Sequence, residues 1–455
     1  MKRFWLVLLS LGLVLAFSAS AMAVDVKFSG SFYAAGMYLD KTKFVKDTAS
    51  DGPSTAFYYQ RLRLQTDFIV SPGLKLVTRF DALERIWGGN RSVAGAPDAE
   101  SIGTRAENEN IAFDLAYIEY ASPIGLFSVG YQIDNVWGTV FGNNGDGPTT
   151  GAIKYILPIG PVVLGGVIYK EADLSKSAVT SSLQTDRDSD KYVAFGIYNI
   201  TKDINVGLLY SYSRVATYKQ ASPFLGPVPP APPNGAMIYV NTLQPYAKAK
   251  FGPVSVEAEF WYVWGTYPGF EGPVYGRDVV MEGIQGYVNA VVDLGPVYFG
   301  GTAAYMSGDD PGTTEKSEGG VANGGIDWNP CLIMFNQDLT YWAGATNGYQ
   351  TTSNSSPMNN AWFGQGKVGV RPIPPLDINA SLSYARAESR PLNTITDKKA
   401  YGWEVDVAGT YKITNNLAYM LGVGYLFTGD YYKGTNSNNA VRDNYMLINK
   451  LTLTF

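Results

Sequence analysis

The chain has 455 residues, with 35 Lys plus Arg against 40 Asp plus Glu, a formal charge of −5. It contains no histidine and one cysteine, Cys331. Those two facts exclude Ser-His-Asp and Cys-His catalysis, histidine-liganded zinc, histidine-ligated haem and any intramolecular disulfide, and the mild acidity speaks against a nucleic-acid partner.

Residues 1–23 open the chain with a basic start, Lys2 and Arg3. The apolar run from Phe4 to Phe17 is too short to span a bilayer, and Ala21-Met22-Ala23 supplies a small-residue cleavage site. This pattern predicts a removable signal peptide over 1–23 and one transmembrane β-barrel over 24–455. Loss of Lys2 and Arg3 takes the charge from −5 to −7. No cysteine follows the site, so the pattern is not that of a lipoprotein. Beyond residue 23 no apolar run reaches the ~20 residues of a membrane helix. Aromatics nevertheless make up 14%, with 32 Tyr and 50 Gly. Strands that alternate apolar and polar residues hide from a hydropathy scan in this way. A soluble β-sandwich or solenoid is the competing reading.

Turn signals then alternate between short and long. The short ones are Ser71-Pro72-Gly73, 122–125, 158–161, Thr201-Lys202-Asp203, Gly252-Pro253, Leu294-Gly295-Pro296, Ile373-Pro374-Pro375 and Thr414-Asn415-Asn416. Proline lacks a ladder donor and glycine accepts positive φ, so both end strands. The long ones lie near 41–54, 88–108, 135–149, 173–189, 216–236, 266–276, 309–358, 389–398 and 430–439. Eight short and nine long connections predict eighteen antiparallel up-and-down strands, with sixteen as the alternative. Both chain ends fall on the short-turn side.

Period-two alternation is clean in several strands. Ile204, Val206, Leu208, Tyr210 and Tyr212 share one face; Tyr401, Trp403, Val405, Val407 and Tyr411 share another. In 111–121 either parity puts Asp114 or Glu119 on the wrong face, so no register follows. Tyr58, Tyr59, Trp87, Trp261, Trp264, Trp403, Tyr431 and Tyr432 gather near strand ends, as interfacial aromatic girdles would require.

Charged residues also keep one parity. Arg61, Arg63, Gln65 and Asp67 share a face, and Lys75, Arg79, Asp81 and Arg85 share the next. Closing the hairpin through 71–73 sets Arg63 opposite Asp81 and Gln65 opposite Arg79. The reverse parity would put at least three arginines in lipid, at about 2–4 kcal/mol each near the midplane. A second hairpin sets Lys248 opposite Glu257, with Lys250 and Glu259 on the same face. These nine residues, Arg61, Arg63, Gln65, Arg79, Asp81, Arg85, Lys248, Glu257 and Glu259, are the candidate pore-lining set. One reading is a transverse field that selects solutes by charge; the other is a salt-bridged wall that selects nothing.

The loop near 309–358 carries Ile326–Phe335, including Trp328 and Cys331, and is too apolar for a solvated loop. It is expected to fold inward or to cover a neighbouring subunit, with Cys331 tucked away. In 135–149 the run Asn143-Asn144-Gly145-Asp146-Gly147 lacks the closing glutamate of a calcium loop and reads as turn chemistry. Pro227–Pro233 reads as a stiff loop tip. No cofactor or metal is expected.

The final strand alternates strictly, with Tyr445, Leu447, Leu451, Leu453 and Phe455 on one face. Together the two ends resemble a Gram-negative outer-membrane β-barrel porin. That resemblance implies a multi-pass place in the outer membrane, contact with lipid and lipopolysaccharide, and an assembly signal at Leu451, Leu453 and Phe455 read by the barrel-assembly machinery. It also implies a third loop that constricts the lumen and a possible homotrimer. A narrower likeness is carried by Ala116-Tyr117-Ile118-Glu119-Tyr120, a Pro-Gly turn and Val129-Gly130-Tyr131-Gln132. It is similar to the eighteen-stranded alginate-export-like porins, where a strand often carries Gly-Arg-Gln; here Tyr131 replaces the arginine, and only architecture is carried over. The expected function is passive diffusion of ions and small polar solutes, not enzymatic. A substrate-specific channel for sugars or an acidic polymer, and a barrel sheath around an electron-transfer protein, are the alternatives.

Overall fold

A computed structural model describes residues 24–46, 52–88, 111–134, 136–147, 149–174, 187–217, 237–267, 278–310, 312–313, 315–319, 325–350, 352–354, 356–390 and 399–455. The expected signal peptide, Asn135 and Pro227–Pro233 lie outside the described residues.

Eighteen long antiparallel strands follow one another around a single sheet. They are β1 (Asp25–Leu39), β2 (Thr55–Ser71), β3 (Leu74–Ile86), β4 (Ile111–Ser122), β5 (Gly125–Ile133), β6 (Thr149–Ile159), β7 (Val162–Asp173), β8 (Asp188–Thr201), β9 (Ile204–Val215), β10 (Ile238–Phe251), β11 (Val254–Tyr267), β12 (Val279–Asp293) and β13 (Val297–Met306). After the two-residue β14 (Lys316–Ser317) come β15 (Ala361–Ile373), β16 (Leu376–Ala387), β17 (Ala400–Lys412), β18 (Leu417–Thr428) and β19 (Asn444–Thr454). β14 belongs to the seventh long loop and pairs in parallel with β12. The last strand closes on the first, Ser31 opposite Thr454 through Leu39 opposite Met446. Closure leaves no unpaired edge in the barrel, which a bilayer demands. All eight short and nine long connections fall where the turn signals put them.

Alternation sorts the side chains. Leu208, Tyr210, Trp403, Val405, Val407, Leu421, Val423, Leu451 and Leu453 stand exposed on the outer face. Such a continuous apolar belt is stable against lipid, not water. The structural aromatics divide differently from the girdle expectation. Tyr58 and Trp87 stack outside at 5.5 Å, and Tyr262 and Trp264 at 5.2 Å. Tyr59, Tyr431 and Tyr432 are buried, and Trp261 lines an internal cavity, so these four are not girdle residues.

Bulges reset parity where strict alternation fails. In β4 the register shifts between Arg79–Leu115 and Phe80–Phe113, leaving Asp114 as the extra residue. Both Asp114 and Glu119 thereby reach basic partners, which resolves the conflict in 111–121. In β3 the shift follows Ala82, where Leu83 has φ 50°, and sets Arg85 opposite Gln60. Arg85 therefore leaves the inward row that Arg79 and Asp81 occupy: two residues of β3 face one of β2 at the bulge. In β17 the shift near Gly402, with φ 133°, turns Tyr401 inward, against the face assigned to it with Trp403. Tyr401 is 1% exposed.

The inner wall is not uniformly polar. Tyr33, Met37, Tyr59, Phe363, Tyr401, Leu426, Met446 and Ile448 form one buried cluster with Trp328, Ile333, Met334, Phe335, Leu339 and Trp342. The second group belongs to the seventh long loop (307–360), which folds into the barrel. Its short helix α1 (Gln337–Ala343) is capped by Asn336, whose side chain accepts from the Leu339 amide at 2.8 Å. Among the described residues no helix is long and apolar enough to cross a membrane.

Candidate functional site: a constriction built by two inward loops

The third long loop (134–148) crosses the barrel interior. Its polar turn begins at Thr139, which accepts from the Phe141 amide and starts the 3₁₀ turn Val140–Gly142. Thr139 in turn donates to Glu259 on β11 twice, from its amide at 2.7 Å and its hydroxyl at 2.6 Å. Trp261 donates its indole N–H to the same carboxylate. Glu259 is thus a buried anchor for the loop. A buried carboxylate persists when several donors satisfy it.

The two inward loops meet. Phe141 stacks on Tyr287 of β12 at 5.0 Å and meets Trp328 of the seventh loop edge-on at 5.1 Å. The Gly325 amide donates to the Phe141 carbonyl, and the Asp327 amide to that of Asn143. The Asp327 carboxylate accepts from the Gly145 amide at 2.7 Å, and the Asn144 side chain accepts from the Ile326 amide at 2.9 Å. Loop-to-loop bonds of this kind fix both segments at once.

From that junction Asp146 reaches the arginine wall. It accepts from Arg61 at 3.1 Å and from Arg63. Arg63 also makes a two-pronged contact with Asp81, both bonds 2.7 Å, and lies 3.7 Å from Asp114. Arg79 clasps Asp114 at 2.6 Å, and Arg61 lies 3.6 Å from Glu84. Three arginines thus face four carboxylates, Asp81, Glu84, Asp114 and Asp146, a local sum of −1. Planar guanidinium–carboxylate forks are rigid as well as strong. Desolvation acts to raise the Asp146 pKa, but Arg61 and Arg63 outweigh it and hold the carboxyl below its ordinary value.

The register sets Arg63 opposite Asp81, Gln65 opposite Arg79 and Lys248 opposite Glu257. Gln65 donates to Asp67 at 3.0 Å, and Lys75 bridges Asp67 and Glu119, each at 3.2 Å. Lys248 and Glu257 form no ion pair. Lys248 lies over the Tyr246 ring at 5.8 Å, and Glu257 accepts from the Tyr287 hydroxyl at 2.8 Å. At the chain end, Phe455 exchanges two backbone bonds with Gly30.

Some residues at the constriction carry no mark in the sequence pattern. Asp146 sits in a run whose glycines and asparagines read as a turn. Asp134 and Lys191 are 57 positions apart and form a close pair at 2.6 Å. They border a cavity of about 260 Å³ with Lys154, Trp137, Tyr169 and Trp261, between the third loop and β6–β11. Lys154 makes no ion pair among the described residues.

No protein-family model and no curated protein matches the chain. Solved structures do resemble it. OpdQ of Pseudomonas aeruginosa is 14% identical, with a TM-score of 0.52 over 95% of this chain and 98% of that one. OccAB1 of Acinetobacter baumannii is 11% identical, with a TM-score of 0.52 over 96% and 99%. OccK8 (OprE) of P. aeruginosa is 11% identical, with a TM-score of 0.50 over 95% and 98%. At that identity the likeness is one of fold. In fold, the chain is a closed eighteen-stranded antiparallel β-barrel that matches those of outer-membrane porins, its first and last strands paired with each other.

Proposed function

We propose that this barrel is a passive channel for small polar or ionic solutes, with a path narrowed by the third and seventh long loops. The observation that carries the reading is the ion pairing of Asp146 with Arg61 and Arg63, which joins an inward loop to the charged inner wall. A transverse field in a narrow wet passage orients dipolar solutes and weights ions by sign. The arginines are matched by carboxylates, so their number alone does not favour anions. The reading is non-enzymatic.

The cavity beside Lys154 and Lys191 favours a second reading, a path with a saturable solute site. Its ~260 Å³ exceeds the ~150 Å³ that holds benzene in an engineered core. Liposome swelling across a panel of neutral, anionic and cationic solutes tests both. Rates that fall smoothly with solute size support simple diffusion. Saturation with one solute class, lost in Lys154→Met, supports the site. No swelling with any solute would remove both. An electron-conduit sheath is disfavoured, because the inward loops occupy space that an inserted protein would need. The alginate-export-like specificity has no support from Gly130-Tyr131-Gln132, which lacks the arginine.

A further inference from the structure

The seventh loop meets β17 at a group of side chains that channel function does not use. Cys331, Glu404 and Asp406 are all buried, and one donor atom from each lies within 4.8 Å of the others. Glu404 is held from the loop side: its two oxygens accept from the Ile333 amide at 2.6 Å and the Met334 amide at 2.7 Å. Asp406 accepts from the Leu332 amide and, over 3.4 Å to Oδ2, from the Ser381 hydroxyl. Its other oxygen, Oδ1, is buried without a hydrogen-bond partner, although the residue is only 6% exposed. Position 424 on the adjacent strand is glycine. A Cβ there would lie 2.7 Å from Asp406 Oδ1 and 3.4 Å from Glu404 Oε1, so the missing side chain leaves the carboxylates their room.

Two buried carboxylates side by side are costly unless something positive lies between them. Among the described residues neither forms an ion pair with Lys or Arg. A proton shared between them would satisfy the two acids. The Cys331 sulfur, which also meets the Ser383 side chain, stands beside both carboxylates.

We propose that Cys331, Glu404 and Asp406 bind one divalent, thiolate-accepting metal ion of the zinc class, which ties the seventh loop to the barrel wall. One sulfur and two carboxylate oxygens supply three ligands, and borderline-soft ions accept that mixture where magnesium and calcium do not. The amides of Ile333 and Met334 orient Glu404 from behind, the usual task of groups that surround a metal ligand. Binding releases the thiol proton to solvent, so occupancy falls as pH is lowered.

The test uses the full barrel folded in detergent, stripped with chelator and titrated with Zn²⁺ and with Co²⁺. The expected result is one zinc retained per barrel after desalting and a thiolate-to-cobalt charge-transfer band. Cys331→Ser removes the band, and Asp406→Asn weakens zinc binding by roughly tenfold or more. Heat-modifiable gel mobility checks that both variants keep the barrel. Cobalt bound without the band, or zinc retention equal in wild type and both variants, would overturn the proposal. So would absence of retained metal in a folded wild-type barrel, and the acid pair would then hold a proton instead.

Discussion

Asp146, in the third long loop, bonds to Arg61 on β2 across 85 residues of sequence, 3.1 Å between Oδ2 and Nη2. The loop therefore ends on the charged wall of β2. Asp146→Asn changes the local sum from −1 to 0. The expected outcome is a reversal potential shifted toward anions in a salt gradient across a planar bilayer. Arg61→Gln shifts it toward cations. Equal reversal potentials in wild type and both variants would show that the cluster is a wall and not a filter.

The pH response of that contact has a definite sign. The folded Asp146 pKa is depressed below its ordinary value of 3.8, so the contact is fully present above that value and is lost as pH falls through the lower folded pKa. Selectivity due to Asp146 is thus unchanged from pH 7 to about 5. Conductance and reversal potential recorded over that range check it. A midpoint above pH 5 would mean that another carboxylate controls the passage.

Glu259 carries the other end of the loop. Removing it in Glu259→Ala deletes two bonds from Thr139, each worth about 1.5–3 kcal/mol when the acceptor is charged. The barrel strands lose nothing in register. The variant is expected to assemble normally and to show noisier, larger single-channel steps. Limited proteolysis should cut 136–147 sooner than in wild type.

The seventh loop is held by packing. Trp342 stacks on Tyr59 at 4.5 Å and is 2% exposed. Trp342→Ala is expected to destabilise the inward position of the loop by about 3–5 kcal/mol. Protease sensitivity within 326–343 and the mean open conductance should both rise, while heat-modifiable mobility stays that of a folded barrel.

On the outside the rule reverses. Val407 lies in the middle of β17 and is exposed toward lipid. Val407→Arg is expected to cost about 2–4 kcal/mol in a denaturant titration of the barrel in lipid vesicles. Val407→Leu should change little, since it only exchanges one apolar group for another. Similar stabilities for the arginine and leucine variants would contradict the assignment of that face.

The strand count, both turn classes and the hairpin registers could be read from the sequence because period two and Pro-Gly turns are local signals. Arg63 opposite Asp81 needs only the 71–73 turn. The bulges at Asp114, Leu83 and Tyr401 could not be read, because one extra residue reverses parity without changing composition. Strict alternation therefore puts Arg85 and Tyr401 on the wrong faces. The inner apolar patch was hidden as well. Met446 and Ile448 lie on the inward side and would read as errors in a polar lumen, until Trp328 and Phe335 arrive from a loop some hundred residues earlier to cover them. Asp146 reads as turn chemistry because its partners, Arg61 and Arg63, are far away in the chain.

The proposed function requires a hydrated bore narrowed by the third and seventh loops. Single-channel recording of the purified barrel in planar bilayers, with and without deletion of 326–343, tests it most directly. Small, discrete, ohmic steps are expected for the whole chain and clearly larger ones for the deletion. Absence of current from both, with the barrels shown to be folded and inserted, would contradict it.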